Sequence, residues 1–120
     1  MAETPVIDSQ AIENLRALNP GDNDEFLREI VVIFLADTPQ RITDLEQSLA
    51  VCDIARFARA AHSIKGSSAN LGAMALRAVA EKLELHSRKS GLDDIAPLLG
   101  DLKSHFAQVQ LELKKLLPAK

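Results

Sequence analysis

The chain has 120 residues, of which 47% are hydrophobic, 26% are charged and only 3% are aromatic, with no Trp and no Tyr. This length and balance predict one globular domain over residues 1–120. They also favour helices, because Ala and Leu are strong helix formers whereas sheets favour β-branched and aromatic side chains. The net charge of −3 and the lack of stacking aromatics argue against a nucleic-acid partner.

Several features bear on the compartment. The single cysteine, Cys52, excludes an internal disulfide and fits a reducing compartment, and we expect it to be a small buried side chain rather than a reactive thiol. The N-terminal segment from Met1 to Pro5 lacks the pattern of a signal peptide. The longest apolar run, from Ile30 to Ala36, is too short to cross a bilayer. We therefore expect a cytoplasmic protein that does not associate with membranes.

The first two predicted helices precede residue 51. The first begins at Asp8 or Ser9 and ends near Leu18, with Ile12 and Leu15 on one side. The second follows the acidic stretch 22–25, which suits a helix N-terminus. Its predicted apolar stripe consists of Phe26, Ile30, Ile33 and Phe34 and resumes at Ile42, Leu45 and Leu49. Pro39 predicts a kink or a short break between the two halves of that stripe.

Three further helices are predicted. Asp53 caps the third, Gly72 ends it, and its apolar stripe consists of Ile54, Phe57, Ala61, Ile64, Ser68 and Leu71. The fourth carries Leu76, Val79 and Leu83 and ends at Gly91. The last runs from about Asp93 to Leu117, with Leu98, Leu102, Phe106, Val109, Leu113 and Leu116 facing inward. Because the connections are short, we predict an all-α, antiparallel up-and-down four-helix bundle with an additional short N-terminal helix.

His62 is the main candidate for chemistry. It follows Ala61 of the buried stripe, so it is rotated from that stripe by about 100° and lies at the edge of the buried face. A neutral imidazole is nucleophilic near physiological pH, and one ring nitrogen can be held by a hydrogen bond while the other attacks phosphorus.

The neighbours of His62 at helical spacing favour such a role. Gly66 lies inside a helix, where glycine costs about 1 kcal/mol relative to alanine, and it removes bulk where a partner would approach. Arg59 and Lys65 supply positive charge that suits a phosphoryl group. The rest of this ridge consists of the small residues Ala58 and Ala69. Spacing alone, however, is equally consistent with an ordinary surface histidine and a packing glycine.

The segment His62-Ser63-Ile64-Lys65-Gly66-Ser67-Ser68 resembles the signature H-x-[LI]-K-G-[SA]-[SA] of histidine phosphotransfer (HPt) domains, and residues 70–73 are similar to the family as well. The resemblance implies a four-helix bundle in which His62 is the phosphoacceptor, Lys65 neutralises the phosphoryl group and Gly66 leaves room for a receiver domain. It also implies that Glu84 bonds the other nitrogen of His62. The alternative for Glu84 is a solvated residue paired with Arg88 at i, i+4.

The resemblance implies a phosphorelay carrier that accepts a phosphoryl group from one receiver-domain aspartate and donates it to another. No glycine-rich phosphate loop is present, so we expect a monomeric phosphocarrier with no ATP site and no cofactor of its own. Mg²⁺ would belong to the receiver. Expected partners are receiver domains and a hybrid sensor histidine kinase, which would dock around Ile12, Leu15, Ala58, Arg59, Gly66 and Ala69.

Two other functions remain open. Residues 59–66 also resemble the phosphoacceptor domain of chemotaxis-type histidine kinases, although residues 67–73 look more like relay carriers. The second is a helical scaffold that binds partners without chemistry. It predicts that substitution of His62 leaves partner binding and downstream signalling intact. His86 and His105 lie outside any motif and are expected to be exposed or hydrogen-bonded, and no metal-ligand spacing is present.

Overall fold

The computed structural model describes residues 6–117, which form helices and no strands. The helices are α1 (Ser9–Leu18), α2 (Glu25–Ala50), α3 (Ile54–Asn70), α4 (Met74–Ser90) and α5 (Ala96–Lys114). Helices α2 to α5 pack in chain order, and α1 lies against α2. The short connections reverse the chain between neighbours. The predicted four-helix bundle with an extra N-terminal helix is confirmed.

Local chemistry sets the helix ends. The Asp8 carboxylate accepts a hydrogen bond from the Gln10 backbone N–H at 3.0 Å and begins α1, and Asp53 caps α3 by accepting from the Arg56 N–H at 3.1 Å. Each contact satisfies a backbone donor that the helix itself leaves unpaired. Gly91, with φ +78°, ends α4 as expected.

The last helix is shorter than predicted. It begins at Ala96, after Asp94 in a left-handed conformation, and ends at Lys114 rather than at Leu117.

The core runs along the middle of the bundle. Its largest fully buried side chains are Phe57, Leu27, Leu45, Ile64, Leu71, Leu76, Leu83, Ile95, Leu102, Leu113, Val31 and Val109. The predicted stripe of α2 is partly wrong, because Ile33 is 62% exposed. The first half of α2 carries apolar residues on nearly every side. Two different sets of these residues therefore recur every three or four positions, and either could form the buried stripe. The one that the neighbouring helices cover contains Leu27, Val31 and Phe34.

Three further expectations, about Pro39, Ile54 and Cys52, are corrected. Of the kink or short break predicted at Pro39, the break does not occur, because helix α2 continues through this residue. Ile54, in the first turn of α3, is 44% exposed because a first turn projects beyond the packed part of the bundle. Cys52 is also exposed rather than buried, since it adopts φ +58° in the turn between α2 and α3 and its side chain points outward.

Helix α1 is fixed to the turn between α3 and α4. The Asp8 backbone N–H donates to the carbonyl of Gly72 at 2.9 Å. Gly72 has φ +74°, and a Cβ there would lie 2.7 Å from the Cβ of Ala11. Glycine is therefore required both by its backbone conformation and by the close approach of α1. This contact holds α1 beside the N-terminal half of α2.

No helix among residues 6–117 is long and apolar enough to span a membrane. The segment from Met1 to Pro5, for which the sequence predicts no signal peptide, lies outside the described residues.

Candidate functional site

His62 lies on the outer edge of α3. The residue before it, Ala61, and the residue two positions after it, Ile64, are completely buried. The imidazole itself is 63% exposed. The predicted position at the edge of the buried face is therefore confirmed, and it follows from the 100° rotation between consecutive residues of a helix.

Glu84 reaches His62 from the neighbouring helix α4. Its two carboxylate oxygens lie 3.1 and 3.2 Å from Nδ1 of His62. The Glu84 side chain is only 10% exposed, so it is held in place by the helices around it. Because a carboxylate only accepts hydrogen bonds, Nδ1 carries the proton. This tautomer leaves the lone pair on Nε2, the nitrogen that does not contact Glu84.

Two cations complete the cluster around Glu84. Lys65, one turn after His62 on α3, places Nζ 3.0 Å from Oε1 of Glu84, and its side chain is 24% exposed. Arg88, one turn after Glu84 on α4, places Nη2 3.3 Å from Oε2. Glu84 therefore contacts His62, as the resemblance implied, and also pairs with Arg88, but it is buried rather than solvated.

These contacts set the ionisation of Glu84. Burial on its own raises the pKa of this carboxyl, since water no longer solvates the charge. Hydrogen bonds from Lys65 and His62, together with the nearby positive charge, outweigh this effect of burial and leave the pKa of Glu84 below its ordinary value of 4.5. Glu84 is therefore ionised near neutral pH, as its role as hydrogen-bond acceptor requires.

Gly66 leaves an opening one turn beyond His62. A Cβ built on Gly66 meets no atom within 4 Å, so no packing inside the chain requires glycine there. The two serines that follow have local roles. Ser67 donates to the carbonyl of Ser63 at 3.0 Å, and Ser68 is completely buried in the core, both as expected.

Comparison with known proteins identifies the family. The family model described as "Hpt domain" matches residues 29–117, which include the whole of α3 and α4. The chain belongs to the Hpt domain family. The resemblance carried by residues 62–68 is thereby confirmed.

Relatives of this Hpt domain occur in fungi, plants and bacteria. It is 28% identical over 93 residues to multistep phosphorelay regulator 1 of Schizosaccharomyces pombe, covering 78% of this chain and 32% of that protein. It is 25% identical over 113 residues to histidine-containing phosphotransfer protein 1 of Arabidopsis thaliana, covering 92% of this chain and 73% of that protein. The crystal structure of histidine-containing phosphotransfer protein B from Pseudomonas aeruginosa PAO1 has a TM-score of 0.84 at 26% identity, covering 94% of this chain and 95% of that one. The chain thus spans about a third of the fission-yeast protein.

The predicted docking residues of this Hpt domain are only partly accessible. Arg59 and Gly66 are exposed, and Leu15 and Ala69 are half-buried. Ala58 is completely buried and Ile12 is 6% exposed, so these two predictions of direct partner contact are wrong. Ala58 lies one turn before His62 but has no exposed surface, and Ile12 belongs to the hydrophobic core of the bundle.

Charged residues on α2 were missed from the sequence. Arg41 and Asp44 lie beside α3 and share a cleft with Arg59 and Ser63. The positions of Arg41 and Asp44 in the sequence do not predict this cleft, because it forms only when α2 packs on α3.

Of the two remaining histidines, His86 is hydrogen-bonded as expected, whereas His105 is neither fully exposed nor fully buried. Nε2 of His86 lies 3.0 Å from the backbone carbonyl of Asp93, and His105 is half-buried. Within residues 6–117, no group of three or more His, Cys, Asp or Glu side chains is arranged to hold a metal ion.

Proposed function

We propose that this Hpt domain is a phosphorelay carrier in which Nε2 of His62 accepts a phosphoryl group from one receiver-domain aspartate and donates it to another. The observation that carries this proposal is the pairing of Nδ1 with the buried Glu84 carboxylate, at 3.1 and 3.2 Å, on an imidazole that is largely exposed. One nitrogen is held in the bundle, and the other is free to react outside it.

The transfer step uses the tautomer that Glu84 holds. The lone pair of Nε2 attacks the phosphorus of a receiver's phosphoaspartate, forming an N–P bond as the P–O bond to the aspartyl oxygen breaks. The bond's electron pair leaves with the aspartate carboxylate. The ring then bears positive charge, which the Glu84 carboxylate stabilises at Nδ1 while the proton stays there. Donation to a second receiver is the reverse of these steps.

Lys65 and Arg88 support this step by balancing charge. The Glu84 carboxylate on its own would repel an incoming phosphoryl group. Its ion pairs with Lys65 at 3.0 Å and Arg88 at 3.3 Å offset that repulsion. We propose that Lys65 also attracts the phosphoryl oxygens, since its flexible stem can reposition the ammonium.

The open surface around His62 is the proposed docking area. Gly66 leaves space for a receiver, Arg59 is exposed one turn before His62, and Ala69 and Leu15 are half-buried. A transient partner needs such a surface, with a small apolar part and a charged rim.

The domain would act as a monomer in the cytoplasm, supplied by a receiver of a hybrid sensor histidine kinase. It would need no cofactor of its own, because the Mg²⁺ for the transfer would be held by the acidic pocket of the receiver. Residues 1–120 would act as one domain.

A phosphotransfer profile tests the proposal. The protein is incubated with each of a panel of phosphorylated receiver domains, with Mg²⁺ and without any kinase, and label on both chains is followed with time. We expect rapid, reversible transfer with one or a few receivers. Phosphorylation only by the ATP-binding domain of a chemotaxis-type kinase, with no receiver as donor, would overturn the proposal.

A further inference from the structure

A polar cleft opens between α2 and α3 on the side of His62 away from Glu84. It has a volume of about 390 Å³ and is lined by Arg41, Asp44, Arg56, Arg59, Ala60 and Ser63. Ser63 is the immediate neighbour of His62, so any protein that covers the imidazole from this side also covers the cleft.

The charge of this cleft is opposite to that of the chain. Three arginines and one aspartate line it, whereas the whole chain has a net charge of −3. Arg41 also pairs with Asp37 at 3.4 Å, but even with Asp37 included the guanidinium groups outnumber the carboxylates. A local positive surface on an acidic protein attracts an acidic partner and orients it during encounter.

The arginines are partly organised before any partner binds. Asp44 lies between two of them, with Oδ2 at 3.2 Å from Nη1 of Arg41 and Oδ1 at 3.0 Å from Nη2 of Arg56. Nη2 of Arg56 also donates to Gln47 at 2.8 Å. These bonds join α2 to α3 and restrict the two side chains, which lowers the entropy that binding would cost.

Arg59 is the arginine that remains available. Among residues 6–117, no carboxylate lies within 4.0 Å of its guanidinium group. It lies one turn before Ser63 on the same face of α3, and it is exposed. A guanidinium group presents a planar fork of donors that fits a carboxylate in a bidentate pair.

We propose, building on the receiver exchange proposed above, that this cleft is a second contact for the receiver domain. An acidic side chain of the receiver enters the cleft and pairs with Arg59, while the phosphorylated aspartate faces His62. The two contacts lie on one helix, about one turn apart, so together they set the orientation of the receiver on α3. The cleft acts on encounter and orientation, and His62 and Glu84 carry the chemistry.

The test uses the receiver that phosphorylates His62 fastest in the phosphotransfer profile. The bimolecular transfer rate constant is measured against salt concentration for the wild type, Arg59→Glu and Arg59→Lys. We expect Arg59→Glu to lower it by about tenfold at low salt, with convergence at high salt. Arg59→Lys keeps the charge but loses the bidentate pair, so its rate should lie between those of the wild type and Arg59→Glu.

Lys82→Glu is the matched control. Lys82 is exposed and lies two residues before Glu84, on roughly the opposite side of α4 from the site. Lys82→Glu changes the net charge by the same amount as Arg59→Glu, so any effect of total charge appears in both variants. Equal rates for Arg59→Glu and Lys82→Glu would overturn the proposal while leaving His62 as the phosphoacceptor. Loss of transfer in the wild type with every receiver would instead remove the proposed function itself.

A charge-swap experiment identifies the contact. Each acidic residue around the receiver's phosphorylation site is changed to Lys and tested with both Arg59 and Arg59→Glu. We expect one receiver variant to be slow with Arg59 and restored with Arg59→Glu. If no swap restores the rate, the cleft does not bind an acidic group of the receiver. The same conclusion follows if two copies of this chain associate and Arg59→Glu abolishes that association, because the cleft then binds a second copy.

Discussion

Oε2 of Glu84 lies 3.1 Å from Nδ1 of His62 and also accepts from Arg88. The oxygen that orients the nucleophile is therefore itself fixed by a cation on its own helix. Lys65 holds the other carboxylate oxygen at 3.0 Å. Each contact limits the positions that the carboxylate can adopt, so the tautomer of His62 depends on a cluster that spans α3 and α4.

The first prediction concerns that tautomer. In Glu84→Ala, Nδ1 of His62 loses its acceptor, and the neutral ring redistributes its proton toward Nε2. We expect a rise in the Nε2–H tautomer in ¹⁵N NMR spectra of the imidazole and a roughly 10–100-fold slower phosphotransfer, the range seen when an orienting partner is removed. Glu84→Gln keeps a carbonyl acceptor and should keep the tautomer. An unchanged spectrum in Glu84→Ala would show that Glu84 does not orient the ring.

The second prediction concerns pH and stability. The pKa of Glu84 is lower in the folded chain than its ordinary value of 4.5, so the folded state favours the ionised form. That contribution to stability is fully present above the unfolded pKa and is lost as the pH falls through the lower, folded one. The advantage of the wild type over Glu84→Gln in free energy of unfolding should therefore shrink as the pH falls below about 4.5.

Urea denaturation of both variants between pH 5 and pH 3 measures this difference in the free energy of unfolding, because the other carboxyl groups titrate alike in both variants and cancel. An advantage that grows as the pH falls would contradict the assignment.

The third prediction separates stability from function at Gly66. Gly66→Ala meets open space and replaces a helical glycine, so it should stabilise the fold by about 0.5–1 kcal/mol. The same methyl group lies where a receiver approaches, and crowding of about 1.4 kcal/mol would slow phosphotransfer by about tenfold.

Gly100→Ala is the control for Gly66. It also lies inside a helix, with no atom within 4 Å of an added Cβ, and it should stabilise the fold without changing the transfer rate. Equal transfer rates in Gly66→Ala and Gly100→Ala would mean that the opening at Gly66 is not used for docking.

The fourth prediction concerns the attachment of α1. In Gly72→Ala, the left-handed backbone and the contact with Ala11 should together lower the free energy of unfolding by about 2 kcal/mol or more. Gly21→Ala shares the positive φ but has no neighbouring atom within 4 Å, so it should cost only about 1 kcal/mol. Thermal or urea denaturation of both measures the difference, and equal losses would show that α1 does not press on Gly72.

Sequence reasoning succeeded where the signal is local. The rotation that brings His62 to the surface follows from Ala61 and Ile64 beside it. The caps at Asp8 and Asp53 follow from the preference of helix starts for short acceptor side chains. Glu84 was reached through the family resemblance, because no local rule connects positions 62 and 84.

It failed where burial depends on which helix lies opposite. Two sets of apolar residues on α2 have the spacing of a buried stripe. Only the packed bundle shows that the set with Val31 is covered and that Ile33 is exposed. Ala58 was expected on an open ridge, yet it is completely buried in the folded bundle. The cleft shared by Arg41 and Arg59 likewise exists only after α2 packs on α3.

The most direct test of the central claim is phosphoryl acceptance by three single variants. His62→Gln, His86→Gln and His105→Gln are each incubated with the phosphorylated receiver that labels the wild type fastest, and intact mass reports one added phosphoryl group. We expect normal labelling of His86→Gln and His105→Gln and none of His62→Gln, which should fold normally because His62 is largely exposed. Normal labelling of a folded His62→Gln protein would contradict the assignment of His62 as phosphoacceptor.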